Sequence, residues 1–138
     1  MTIKRVVIDT NVLISAALSP ESKPAQIVDW ALSQASLLFS EETFAELETR
    51  LWRPKFDRYL SLEQRQSILH DVKAIAEWIT PETTPATSYS RDQDDDKFVH
   101  LALAGKADWL ISGDQDLLTV VPPPGLAILS PANALALI

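Results

Sequence analysis

Apolar positions along this chain alternate between two patterns. Val6, Val7 and Ile8, with Ile3 before them, make an apolar and β-branched run interrupted only by Lys4 and Arg5, which predicts a strand buried on both faces. Shorter runs of the same kind lie at Ser36–Phe39, Trp109–Ile111 and Ala127–Leu129. The stretches between them carry helix signals. Asp9, Thr10 and Asn11 are good caps for a short helix over Val12–Leu18 that Ser19 and Pro20 close. Pro24 fits the first turn of a helix reaching about Gln34, and Ser40 caps one over Glu41–Trp52 that stops before Pro54. Ser61 and Gln64 spell a capping box, and Ile68, Val72, Ile75 and Ile79 recur at helical spacing beside Leu69 and Ala76, which predicts the longest helix. A polar loop over Pro81–Arg91 follows, and Asp94, Asp95 and Asp96 then open an apolar helix from Lys97 to about Ala104, ended by Gly105. Ser112, Gly113 and Asp114 read as a turn, Pro122–Gly125 as a loop, and Pro131 starts a last short helix.

Helices alternating with short buried strands predict an α/β sandwich with a central, mainly parallel β-sheet flanked by helices. The 138 residues suit a single domain over the whole chain. Ligands of such sheets bind beyond the carboxyl ends of the strands, where strand order reverses. Asp9 follows the first strand at once and Asp114 closely follows Trp109–Ile111, so both belong to one edge if those strands are parallel. A helix antiparallel to its following strand begins at that strand's carboxyl edge, which brings Asp94 to Asp96 to the same place.

Composition narrows the chemistry. Cys is absent, and the two histidines, His70 and His100, lie thirty positions apart, so thiolate zinc sites, disulfide frameworks and Cys/His nucleophiles are excluded or poorly supplied. Both histidines read as packing or surface groups. Asp and Glu number 19 against 12 Lys plus Arg, for a net charge of −7, which points to hard cations before nucleic acid. Seven of the eleven aspartates fall between positions 92 and 116. Taken locally, Asp9 with Asn11 also reads as a helix cap, and Asp92, Asp94, Asp95 and Asp96 as a solvated run before a helix. Like charges crowded at one edge repel unless a cation compensates, and that favours a metal site. Val6 to Ile8 is too short for the apolar region of a leader, and prolines break the uncharged stretch Leu117–Ile138, so the expectation is a cytoplasmic protein with no membrane span.

At this point the residues resemble a known family, the PIN-domain nucleases, and within it the toxin-like branch similar to VapC. The resemblance rests on Val6-Val7-Ile8-Asp9-Thr10-Asn11-Val12, on Ala45-Glu46-Leu47 with Leu51-Trp52-Arg53-Pro54-Lys55-Phe56, on Arg91-Asp92 with Asp94-Asp95-Asp96-Lys97-Phe98, and on Ala107 through Leu118. It implies metal-dependent RNA hydrolysis, a Mg²⁺ or Mn²⁺ cofactor, an RNA substrate, a cognate antitoxin partner and a homodimer. The acidic set it implies falls on Asp9, Glu46, Asp95 and Asp114, with Asn11 and Ser112 as polar neighbours and Asp96 and Asp116 in support. Two positions stay open. Asp95 lies seven residues before Ala102, which suits the family pattern better than Asp96, but the run allows slippage by one. Helical spacing groups Phe44, Leu47 and Leu51 on one face with Glu48 among them and Glu46 pointing away, so Glu48 is the alternative to Glu46.

The chemistry is consistent with this set, because phosphodiester hydrolysis needs cations at the scissile phosphate and oxygen ligands suit Mg²⁺ or Mn²⁺. RNA must then be met by local charge. Arg50, Arg53, Lys55 and Arg58 place four basic residues in nine positions with Trp52, Phe56 and Tyr59 interleaved, an arrangement that can grip phosphate and stack a base, or form surface ion pairs over a partly buried aromatic. Trp30, Trp78 and Trp109 read as core residues. Two other classes compete: a Mg²⁺-dependent phosphatase or phospho-accepting domain, and a non-catalytic RNA-binding or protein-interaction module. Asn11 stands where the common aspartyl-phosphatase motif has a second aspartate, and the four acids together argue against a non-catalytic module.

Overall fold

The computed structural model describes Ile3 and residues 5–81 and 95–138. Most of the polar loop expected at Pro81–Arg91, together with Asp92 and Asp94, lies outside the described residues. In chain order the elements are β1 (Arg5–Ile8), α1 (Thr10–Leu18), α2 (Lys23–Gln34), β2 (Ser36–Phe39), α3 (Glu41–Leu51), a 3₁₀ turn at Pro54–Phe56, α4 (Leu62–Ile75), β3 (Glu77–Trp78), α5 (Asp96–Ala104), β4 (Trp109–Ile111), α6 (Gln115–Leu118), β5 (Ala127–Leu129) and α7 (Pro131–Ala136). The strands form one sheet in the order β3-β2-β1-β4-β5, every neighbouring pair parallel.

Successive residues of a strand point to opposite faces, and here both faces are covered. Val6, Ile8, Leu37, Phe39, Trp109 and Ile111 pack on one side with Leu13 of α1, Ile27 of α2 and Leu47 and Leu51 of α3. Val7, Leu38 and Leu110 pack on the other with Phe98, Val99 and Leu101 of α5 and Leu117 of α6. The apolar run of β1 is explained by this: its residues have no solvent side, and Val6 and Val7 are both 0% exposed. The result is the expected three-layer α/β sandwich with a parallel central sheet.

Helix starts follow local chemistry. Ser22, Ser40, Ser61 and Ser130 each accept a backbone N–H in the first turn of α2, α3, α4 and α7, and Ser61 with Gln64 closes the capping box. Two expectations need correction. The helix drawn through Ile79 ends at Ile75, and Glu77–Trp78 turns into an edge strand in register with Leu38 and Phe39. The backbone there is satisfied by the sheet, since Ile79 N–H donates to the Phe39 carbonyl at 2.8 Å, and Ile79 joins the α5 side of the core. Trp78 is thereby placed on the rim of the sheet at 40% exposure, not in the core, whereas Trp109 is buried and stacks against Trp30 with ring centroids 5.4 Å apart. Beyond Ser112–Asp114 the short helix α6 begins, and Asp114 caps it by accepting the Asp116 N–H at 2.9 Å. Among the described residues no helix is long and apolar enough to cross a membrane.

Candidate active site

Strand order reverses between β1 and β4: the chain runs from β1 to β2 and β3 on one side and places β4 and β5 on the other. The crevice beyond the carboxyl ends of these two strands is where such a sheet opens to a ligand. Asp9 follows β1 there, and its N–H donates to the Ile111 carbonyl at the end of β4 at 3.0 Å. Both oxygens of its carboxylate accept hydrogen bonds. Oδ1 accepts the Asn11 and Val12 N–H groups at 2.7 and 3.2 Å, capping α1, and Oδ2 accepts the Ser112 hydroxyl at 2.5 Å. Ser112 is itself completely buried, and its Oγ accepts the Asp114 N–H at 3.0 Å, so one hydroxyl ties the acids after β1 and β4 together.

Burial holds the Asp9 carboxyl above the usual aspartate value of 3.8. The bonds from Ser112, Val12 and Asn11 pull it back down, and the nearby Asp114 charge pushes it up. A buried carboxylate facing another carboxylate is costly to ionise, and a cation placed between them would remove that cost.

Asp95, Asp114 and Asp116 complete the acidic edge. Their carboxylate oxygens lie within 4.8 Å of one another, and all three side chains are half-buried. Asp95 precedes α5 and the other two bracket the start of α6, so the helix drawn from the aspartate run does begin at the carboxyl edge of β4. An all-oxygen donor set of this charge fits a hard divalent cation and suits zinc or copper poorly. Asp96, one residue on, is buried in the first turn of α5 and stands outside that trio.

Glu46 reaches the same region from α3. Its Oε2 accepts the Thr10 hydroxyl at 2.9 Å, while Oε1 pairs with Arg50 Nη2 at 2.5 Å and lies 3.5 Å from Lys97 Nζ. Asn11 takes part through its side chain, accepting Arg50 Nη1 at 3.2 Å. Glu48 faces elsewhere: it is exposed and lines a separate cavity of about 330 Å³ with Glu41, Phe44, Ala45, Lys73 and Trp78. The helical-spacing reading had turned Glu46 outward because it used only apolar neighbours on α3 and could not see α1 and α5 packed against that helix.

The four basic residues separate. Arg50 is held beside the acids, whereas Arg53, Lys55 and Arg58 are exposed on the turn after α3, with Lys55 Nζ 5.1 Å from the Phe56 ring centre. Sequence reasoning passed over Thr10 and Lys97 as site residues, although both adjoin acids that it singled out. It also passed over Arg65, a buried guanidinium that pairs with Asp57 at 3.0 Å and sits 5.4 Å from the Trp52 ring centre, anchoring the turn that carries the exposed bases. Arg65 shares the inward face of α4 with Ile68, Leu69 and Val72, and an apolar-periodicity reading counts only the latter three.

Comparison with known proteins bears on the family and the fold. Residues 5–116 match the family described as PIN domain. An uncharacterized protein of Methanocaldococcus jannaschii is 35% identical over 118 residues, covering 84% of this chain and 74% of that protein. Among solved structures, VapBC2 from Rickettsia felis, bound to a DNA fragment from their promoter, superposes with a TM-score of 0.62 at 16% identity over 91% of this chain and 98% of that one. VapBC-1 from nontypeable Haemophilus influenzae gives 0.54 at 19% identity over 80% and 87% of the two chains. The PIN domain endonuclease Utp24 gives 0.53 at 19% identity over 91% and 84%. These structures share the fold, and the matched stretch runs from β1 through the acidic turn after β4. The chain therefore belongs to the PIN-domain family of nucleases.

Proposed function

We propose that this protein is a metal-dependent endoribonuclease of the cytoplasm, and the toxin member of a toxin–antitoxin pair. The observation that carries the reading is the convergence of Asp95, Asp114 and Asp116 from two helix starts beside the buried, Ser112-bound Asp9, at the point where strand order reverses. Asp95, Asp114 and Asp116, with Asp9 behind them, would hold Mg²⁺ or Mn²⁺. When bound, such a cation neutralises the scissile phosphate and lowers the pKa of the attacking water. The chain's own residues prepare that site. Ser112 and the α1 cap fix Asp9 in one orientation, and the α6 cap fixes Asp114 in another, so neither carboxylate has to be ordered when RNA arrives.

Arg53, Lys55 and Arg58, exposed cations on one turn, would track the RNA backbone beyond the cleavage point. The toxin role is supported by likeness of fold to chains whose structures carry the VapBC name, two of the three neighbours described above. A cognate antitoxin and a homodimer belong to the same reading.

The test is cleavage of a panel of single-stranded RNAs by purified protein. Cleavage is expected with Mg²⁺ or Mn²⁺, with loss on chelation and at least a hundredfold loss in Asp114→Asn, on the order of what removal of one electrostatic stabiliser costs a hydrolase. Undiminished cleavage after complete chelation would overturn the reading. Expression without a partner should slow growth and Asp9→Asn should relieve it; equal growth arrest by the variant would detach toxicity from the nuclease site.

A further inference from the structure

We infer that the chain associates head to tail with a second copy of itself, the exposed strip Val121-Pro122-Pro123 of one copy lying in the groove that Phe44 and Trp78 form on the next. Neither surface contains Asp9, Glu46, Asp95 or Asp114, and the contact needs neither metal nor RNA, so it does not depend on the nuclease reading.

A run of exposed apolar residues needs a reason in a folded chain. Val121 is 88% exposed, Pro122 and Pro124 are exposed beside it, and residues 121–123 belong to no helix or strand. A proline ring fixes φ near about −65°, and a residue that precedes proline is kept out of helical backbone, so Pro122 and Pro123 run as polyproline II. A turn ends the run. Gly125, at φ 89°, lets the Leu126 N–H donate to the Pro123 carbonyl at 3.2 Å, and Leu126 is buried. A strip fixed in this way has little conformational freedom left to lose on binding. It offers carbonyl acceptors and, at its prolines, no N–H donor, and aromatic-lined grooves take ligands of this kind.

The groove matches that chemistry. Phe44 of α3 and Trp78 of β3 meet edge to face with ring centroids 5.4 Å apart, and Phe39 backs Trp78 at 6.3 Å. The Trp78 indole N–H donates to the Lys73 carbonyl at 3.3 Å, which pins the ring while its residue stays 40% exposed. Ala45 and its single methyl keep the cavity of about 330 Å³ open, and the exposed Lys73 lining it supplies the N–H donors that proline carbonyls lack within their own strip. The chain cannot fill its own groove. β3 and β5 are the outermost of five strands, so four spacings of about 4.8 Å, roughly 19 Å, separate them, and the strip is tied to the β5 side by Leu117 and Leu126, both buried. A second copy is the occupant that the chain itself supplies. Because the contact joins two different surfaces, it links copies in series and is not the like-with-like face of a two-fold dimer.

The test follows the mass of the full chain by sedimentation velocity over a concentration series. Contacts below about 1,200 Å² are weak, so the series runs to the limit of solubility. The mass of the wild type is expected to grow with concentration. Val121→Asp, which puts a charge on the strip, and Ala45→Arg, which fills the groove from an exposed position of α3, should each weaken the association about tenfold or more. Trp78→Ala should act as Ala45→Arg does; where it fails to fold because Phe39 and Phe44 lose their neighbour, Ala45→Arg decides. Mixing Val121→Asp with Ala45→Arg brings together one intact groove and one intact strip, so the mixture is expected to form a pair, one copy of each, that grows no further. A wild type of constant mass across the series, or a mixture that does not pair, would overturn the inference. Loss of association in only one of the two variants would give the groove or the strip a different occupant, and association that neither variant weakens would run through another face; either result overturns it as well.

Discussion

Neutralising Asp114 without changing its shape separates a cation site from a decorative acidic edge. Asp114→Asn keeps the oxygen that accepts the Asp116 N–H and so keeps the α6 cap, but removes the charge that crowds Asp95 and Asp116 and raises the carboxyl of Asp9. Two effects follow. In EDTA the variant should melt at the same temperature as wild type or higher, because a like-charge repulsion has been taken away. In Mg²⁺ the wild type should gain stability that the variant does not. At a free ion concentration ten times the dissociation constant, mass action adds about 1.4 kcal/mol. With 138 residues at about 2.1 cal/mol/K each, the unfolding entropy is roughly 290 cal/mol/K, so the melting temperature should rise by about 5 °C. For Asp114→Asn and for Asp95→Asn the rise at that same Mg²⁺ concentration should fall below about 2 °C, since a tenfold weaker site adds only about 0.4 kcal/mol there. The assay is a thermal melt across a Mg²⁺ titration at constant ionic strength, with Asp29→Asn, an exposed acid on α2, as the control for one lost charge. A full, saturable 5 °C rise in both Asp114→Asn and Asp95→Asn would place the ion elsewhere and refute the reasoning.

Two further outcomes follow from the same structure. Asp9 binds its proton more tightly folded than unfolded, so between 3.8 and the raised folded value the native state holds more protons and stability falls as pH rises, staying at the lower level above that window. Melts in EDTA should show this fall in wild type, and Asp9→Asn should flatten it; an identical pH profile in the variant would remove burial of Asp9 as its cause. Gly105 closes α5 against β2, where an added Cβ would lie 2.6 Å from Leu38 Cδ1 and 3.3 Å from Ile79 Cγ1. Gly105→Ala should cost about 1–3 kcal/mol by denaturant unfolding and distinctly less in a Leu38→Ala background, and equal costs in the two backgrounds would contradict that contact.

Much of the architecture was legible in the amino-acid order because it is decided within a few residues. A β-branched run with no polar alternate marks a strand buried on both faces, and Val6 to Ile8 obeyed it by sending Val6 and Ile8 to one core and Val7 to the other. Serine three residues before a side-chain or backbone partner starts a helix wherever it occurs, as at Ser40 and Ser61. The end of α4 was misread because Ile79 keeps helical spacing with Val72 and Ile75, yet Ile75 is 54% exposed and Ile79 is claimed by the sheet. Only the pairing with β2, whose residues lie some forty positions earlier, makes an edge strand of Glu77 and Trp78.

The acidic positions themselves were named by spacing and resemblance, but their relations were not. Asp9 and Ser112 are 103 positions apart and share a hydrogen bond, and Glu46 is oriented by Thr10, Arg50 and Lys97 from three different helices. Local order sets propensity, capping and the alternation of side chains along each strand, since these depend on neighbours within one turn or one pleat. Which oxygen faces which cation depends on how those elements pack, and that is fixed by side-chain volumes and pairings gathered from the whole length of the chain. The sequence by itself thus determined every strand but β3, the caps and the acids available at the carboxyl edge, and the tertiary structure alone decided that Asp95 faces Asp114 and Asp116 while Glu46 faces Thr10 and Lys97, because distances between remote residues are a property of packing.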